Sequence, residues 1–288
     1  VGPLKDRLRQ LGDSVTVVGA SGVVSVHVHT NEVGQAIEAG LEHGRASDIS
    51  VVYFEDQMRD RTTTEVSNLG CVAVLPAGRL LDLAREHAVE PVAGAAGNLP
   101  SVDALLRGIR NARARRVLLL PGNRNVLPTA RQARDVAAEE DLAQVEIIQG
   151  AVNVPAVIAA LAVFDPDASA DVVLADMEEA VEVVRTGEVV AAVRDAATPI
   201  GDVQKGQHLT IVGDEVVAVS DDPLEALETL LTHYSSDPCE LATLIVGAEV
   251  DEEERDRAVA KLEERLDGVE VELIDGRQRP ARYLLGVE

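Results

Sequence analysis

The chain has 288 residues, 46% of them hydrophobic, and a formal net charge of −24, which is enough apolar material to bury a core in one large or two ordinary domains. So acidic a chain repels polyphosphate and anionic headgroups, which argues against nucleic acid as a partner, and no apolar run reaches the length of a membrane span. With no Trp, three Tyr and two Phe, the core must come from Val, Leu, Ile and Ala, the palette of a Val-rich sheet under Ala-rich helices.

The opening residues, VGPLKDRLRQ, show no signal-peptide h-region, so the sequence predicts a cytoplasmic protein. Cys71 and Cys239 read as two thiols rather than a disulfide framework. Residues 15–18 and 23–28 predict a hairpin turning at 20–22, Asn31 is the expected cap of a helix over 33–43, and 49–54 predicts a further strand. These pieces are too few to close a core, which predicts a chain that begins inside a domain. Residues 57–68 are polar and without period, as a linker is.

From Cys71 the pattern alternates: strand 71–75, helix 79–87, strand 89–93, helix 102–112, strand 117–120, helix 128–139, strand 145–148 and helix 154–161. Short strands alternating with helices of about ten residues predict βαβ units and a parallel sheet covered on both faces. After Asp165-Pro166 the pattern changes to a helix over 171–185, a hairpin across 208–220 turning at Gly213-Asp214, a helix over 224–233, a strand, an acidic helix over 251–266, another strand and the tail ARYLLGVE. That is a mixed α/β lobe.

In an open parallel sheet, ligands bind beyond the carboxyl ends of the strands, where loops gather helix N-termini. Here that edge comprises 76–78, 94–101 (GAAGNLPS), 121–125 (PGNRN) and 149–153 (QGAVN), so Asn98, Ser101, Asn123, Asn125 and Asn153 share one rim. Caps and turns also need Asn and Ser, so each alone is explained by turn chemistry, whereas four such loops on one rim favour a binding edge. The rim carries no Cys, His, carboxylate pair or Gly-rich phosphate cradle, which favours binding over catalysis.

His27 and His29 stand two apart on a predicted strand and therefore face one side, as two ligands of a Zn²⁺ site would. A third ligand is needed, and the spacing of Asp13 and His43 does not select either. Arg107, Arg110 and Arg113, with Arg115 and Arg116, form a basic run better read as a solvated face than as a docking patch.

The stretch from Leu11 to Gln57, with its HVHT strand and following NEVGQAIEAGLEHG helix, resembles the end of the middle domain of the bacterial fatty acid kinase family named FakA, a branch of the dihydroxyacetone kinase superfamily. Residues 94–101, Gly122 to Asn125 and Val154-Pro155 are similar to the GGQTMNPS-type loop, the NNxN-type loop and the VP helix start of that family's DegV-like C-terminal domain. Ala95-Ala96-Gly97 replaces the Gly-Gln-Thr of the family loop, so contacts made there by relatives are lost.

The resemblance implies an α/β chain: the end of a small middle domain over 1–56, a linker over 57–68, and a DegV-like domain over 69–288, divided at 165 into a parallel and a mixed lobe. It implies a non-catalytic carrier-docking and regulatory region of a fatty acid kinase, in which an N-terminal domain uses ATP and Mg²⁺ to phosphorylate a fatty acid held by a separate DegV-family carrier protein. Asn98, Pro100, Ser101, Asn123, Asn125 and Asn153 would then contact the carrier, and no residue of this chain would be catalytic. In the family the HxH pair joins an upstream Cys on zinc, so His27 and His29 would be an incomplete set. The kinase domain is an expected partner, membrane insertion is not expected, and a homodimer stays open. Two alternatives remain, a fatty-acid-binding DegV-like protein, which needs a long apolar tunnel between the lobes, and a dihydroxyacetone (glycerone) kinase-type phosphotransferase, which needs Mg²⁺ carboxylates and a covalent-binding His.

Overall fold

The computed structural model describes residues 2–20, 23–30, 32–45, 66–95, 97–213, 215–235, 239–266 and 268–288. The chain divides into two compact units, 1–64 and 65–288. The expected cap Asn31, the expected strand at 49–54 and most of the expected linker lie outside the described residues.

The first unit contains α1 (Gly2–Arg9), β1 (Asp13–Ala20), β2 (Val23–His29) and α2 (Val33–His43). β1 and β2 pair antiparallel. Leu4 and Leu8 of α1, one helical turn apart, pack against Ala36 and Ala39 of α2. The N-cap of α2 is Glu32 and makes no side-chain cap bond; its own N–H instead donates to Thr30 Oγ1 at 2.9 Å.

The second unit opens with β3 (Ser67–Leu75), so the last two residues of the expected linker, Ser67 and Asn68, are strand. Then come α3 (Arg79–Glu86), β4 (Glu90–Ala93), α4 (Val102–Ala112), β5 (Ala114–Leu120), a 3₁₀ turn at Arg124–Val126, α5 (Leu127–Glu139), β6 (Gln144–Ile147) and α6 (Val154–Ala162). The four strands are parallel in the order β4-β3-β5-β6. Alternate residues of β3 enter different cores: Cys71, Ala73 and Leu75 meet Leu80 and Ala84 of α3, whereas Val72 and Val74 meet α4 and α5. α3 thus covers one face and α4 and α5 the other, as right-handed crossovers require when the strand order reverses.

α7 (Ala170–Val183) leads into β7 (Arg185–Ala191), β8 (Ala196–Thr198), β9 (Gly201–Val203), β10 (His208–Val212), β11 (Glu215–Ser220), α8 (Pro223–Tyr234), β12 (Leu241–Val246), α9 (Glu252–Arg265), β13 (Glu270–Asp275) and β14 (Ala281–Val287). Six of these strands form a mixed sheet in the order β11-β10-β7-β14-β12-β13. Three sequence expectations are corrected here. The helix expected to reach residue 185 ends at Val183; a central strand, β7, follows it; and the expected tail is β14, paired on both edges.

Residues 154–161 of α6 are all buried. A helix apolar on every side must lie between two layers. One continuous core accordingly joins Leu118 and Leu120 of the four-stranded sheet, α6, Met177 of α7, and Ile245 and Leu284 of the six-stranded sheet.

Candidate functional site

Because the strand order reverses between β3 and β5, the carboxyl ends of these two strands mark the topological switch point, where helix N-termini converge. Two glycines decide the shape there. Gly78 sits at φ 123°, and a Cβ on it would lie 3.0 Å from the Gly276 carbonyl oxygen, so the loop after β3 abuts the loop after β13. Gly122 sits at φ 65°, and a Cβ on it would lie 1.9 Å from the Val74 carbonyl oxygen. The loop after β5 therefore folds down onto the end of β3 and occupies the crevice with backbone.

The four loops join into one rim. Gly94 N–H donates to the Leu75 carbonyl at 2.8 Å, and Gly122 N–H donates to the Ala151 carbonyl at 2.8 Å. Asn98, Pro100, Ser101, Asn123, Asn125 and Asn153 all lie on these loops, but their side chains do different things. Ser101 Oγ accepts from Ala104 N–H at 3.2 Å and caps α4. Asn123 Oδ1 accepts from Asn125 N–H at 2.8 Å and caps the 3₁₀ turn, a cap the sequence did not signal because a single turn carries no helical period. Asn153 Oδ1 accepts from Ala156 N–H at 2.9 Å and caps α6, while its Nδ2 donates to Thr186 Oγ1 of β7 at 3.1 Å. Pro100 is buried, its Cδ 2.8 Å from where a Cβ of Gly94 would be. Asn98, in a tight turn closed by Ala95 N–H to the Asn98 carbonyl at 3.1 Å, is exposed, as is Asn125. Among the described residues these two carry the uncommitted amides of the rim.

The arginine run is a salted surface. Arg110 meets Glu140 at 2.6 Å, and Arg116 meets Glu146 at 2.7 Å and Asp171 at 2.6 Å. A shallow groove of about 340 Å³ lies between β4 and α4, with Asn111 Nδ2 donating to Glu90 Oε1 at 2.9 Å beside it.

The strongest electrostatic perturbation lies elsewhere, in the six-stranded lobe, and sequence reasoning missed it. Glu254, buried in the first turn of α9, receives Arg282 Nε at 2.7 Å and also the Tyr283 hydroxyl and a second Arg282 nitrogen. Burial works against this carboxylate, yet the hydrogen bonds from Arg282 and Tyr283 hold it below the ordinary range. His208, buried nearby, is pushed down by burial and by the Arg282 charge, and its Nδ1 has no partner. These groups sit on the helix-covered face of the sheet, away from the rim, and tie α9 to β14. Their residue types, Glu, Arg and Tyr scattered over 29 positions, form no local motif.

His27 and His29 lie two apart on β2, opposite Thr16 and Asp13 of β1. Their side chains lie outside the described residues. Two imidazoles at this spacing fit two corners of a tetrahedral zinc site. His43 Nδ1 lies 3.0 Å from the Ala39 carbonyl, a local bond within α2. No described helix is long and apolar enough to cross a membrane.

Residues 70–288 match the FakA-like C-terminal family of fatty acid kinase, and residues 1–61 match the FakA-like middle-domain family. Protein YloV of Bacillus subtilis is 28% identical over 299 residues, covering 100% of this chain and 53% of its own length. A Staphylococcus aureus relative is 25% identical over 291 residues, covering 98% and 52%. The chain thus spans about half the length of the curated relatives it matches. Among solved structures, a fatty-acid-binding DegV family protein from Thermus thermophilus aligns with TM-score 0.53 at 19% identity over 76% of this chain and 99% of that one. A DegV family protein from Corynebacterium glutamicum aligns at 0.56 and 14% identity, over 76% and 96%. The dihydroxyacetone kinase of C. freundii aligns at 0.51 and 14%, over 77% and 48%. At these identities the likeness is one of fold.

Proposed function

Since the chain belongs to the FakA-like fatty acid kinase family, we propose that it is a carrier-docking and regulatory region of a fatty acid kinase rather than a catalytic one. On this reading a DegV-family protein holds the fatty acid and docks on this chain, and phosphorylation belongs to an N-terminal kinase domain that uses ATP and Mg²⁺. The reading places the protein in the cytoplasm.

The observation that carries it is the layer between the lobes. In this chain α6 and the inner faces of both sheets pack side chain against side chain there. That supports docking over acyl binding, for which the Thermus protein's name would otherwise argue. The rim supports the same reading: it offers backbone, capped helix ends and the uncharged amides of Asn98 and Asn125. Such groups position a protein partner but do not move a proton at neutral pH. Zinc at His27 and His29, completed by a ligand from elsewhere in the protein, belongs to the same proposal and would brace the hairpin.

Calorimetry tests it. The chain, titrated with a fatty-acid-loaded DegV-family carrier, should bind it. Separately titrated with oleate alone, it should bind little. Tight oleate binding with no carrier binding would favour the acyl-binding alternative.

A further inference from the structure

The two sheets of the second unit present four edges, and three are guarded. β4 is four residues long and carries Pro91; β6 is four residues long with Glu146 locked to Arg116; β13 carries Glu270, Glu272 and Asp275. Short length, proline and charge are what keep an edge from accepting another strand. β11, the fourth, reads Glu-Val-Val-Ala-Val-Ser and is apolar from Val216 to Val219. Among the described residues nothing pairs with its outer side, and Val217 is 37% exposed.

The face behind this edge is also uncovered. Thr210 and the alternate residues of β10 point to α8, with Thr210 Oγ1 donating to the Ala226 carbonyl at 2.9 Å. Leu209 and Ile211 point the other way, opposite Val219 and Val216 of β11, and are half-buried members of neither core. Carboxylates bracket the apolar stretch. Glu215 stands at one end, Asp221 and Asp222 at the other, all exposed.

We propose that β11 is a docking edge that receives an extended segment of a partner protein, apolar at its centre and flanked by lysine or arginine. The added strand would take up the free main-chain groups of β11, rest alternate side chains on Leu209, Ile211 and Val219, and set its cations against Glu215 and Asp221. The charge pattern favours this occupant over a second copy of the chain, whose own β11 brings the same carboxylates. The edge lies in the other lobe from the rim, and the proposal does not depend on what the rim binds.

The test uses the whole chain and a short fluorescent peptide of alternating valine and threonine between paired lysines. The peptide should bind, its glutamate-flanked counterpart should bind about tenfold more weakly, and hydrogen exchange should slow at β11. Val217→Lys puts a charge on the edge and should cost about tenfold in affinity at an unchanged melting temperature. Glu215→Lys, exposed and away from both cores, should weaken the lysine-flanked peptide about threefold or more and serves should Val217→Lys fold poorly. Equal binding of the two peptides, or native affinity in folded Val217→Lys, would overturn the proposal. So would a dimer in sedimentation equilibrium that Val217→Lys dissociates, since the edge would then belong to a second copy.

Discussion

Asn153 and Thr186 join the two lobes: the Asn153 amide nitrogen donates to Thr186 Oγ1 at 3.1 Å while the same side chain's oxygen caps α6 through Ala156 N–H at 2.9 Å. One residue therefore sets both the start of the buried helix and its seat against β7. Asn153→Ala should lower unfolding stability by about 1–2 kcal/mol, the loss of a cap plus a hydrogen bond. Asn153→Asp keeps the acceptor and loses the donor, so it should cost less. Urea midpoints of the two variants decide; equal losses would mean the cap alone matters.

The rim prediction rests on Asn98 and Asn125, the two amides free of structural duty. Their double alanine variant should weaken carrier binding by about 1–3 kcal/mol if both are central to the contact, and shift stability by less than about 0.5 kcal/mol. Asn123→Ala is a poorer probe, because it also removes the cap of the 3₁₀ turn. Unchanged calorimetric affinity in the double variant would return both residues to turn chemistry.

Gly122 and Gly97 offer a contrast between two left-handed glycines. Gly122→Ala places a methyl 1.9 Å from the Val74 carbonyl oxygen, whereas Gly97→Ala meets nothing within 4 Å. The first should destabilise by about 3 kcal/mol or more and disturb the switch point; the second should cost only about 1 kcal/mol of backbone strain. Similar melting temperatures for the two would contradict the close approach of the loop to β3.

The Glu254 cluster predicts a pH dependence. Arg282 and Tyr283 hold the folded carboxyl below its ordinary value of 4.5, so its contribution to stability is fully present above that value and is lost as pH falls through the lower, folded one. Glu254→Gln should cost about 3 kcal/mol at neutral pH, because it leaves Arg282 buried without its anion, and should flatten the acid limb of the stability profile. A parallel shift at every pH would show that the pair does not titrate as described.

Glu188 carries the opposite sign. Burial raises its pKa above 4.5, so folding is penalised as pH rises through that value and the carboxylate forms. Glu188→Gln should therefore raise the melting temperature at neutral pH, with the gain vanishing in acid. A variant less stable than the native chain at pH 7 would reveal an ionic partner for Glu188.

The first lobe was legible in outline because its signals are local. The period-two runs at 71–75 and 117–120 and the helical runs between them fix strand and helix by the direction each side chain takes along its own element. The resemblance carried by HVHT, GNLPS, GNRN and Val154-Pro155 likewise needs only short stretches. β7 was missed for a local reason too: α7 ends at Val183 without glycine or a basic last turn, so nothing in the sequence marks the stop, and Arg185–Ala191 carries Gly187, whose absent Cβ makes room for Leu230.

What the sequence by itself determined is the alternation of elements, the all-aliphatic core and the placing of Asn98 through Asn153 on loops after parallel strands. Tertiary structure alone decided that the last strand, β14, lies inside the six-stranded sheet, that Glu254 meets Arg282 and Tyr283, that Asn153 reaches Thr186, and that β11 is an edge. The reason is physical: backbone preference and hydrophobic period act over a few residues, whereas strand order and side-chain pairing across 28 or 33 positions are settled by which surfaces bury together.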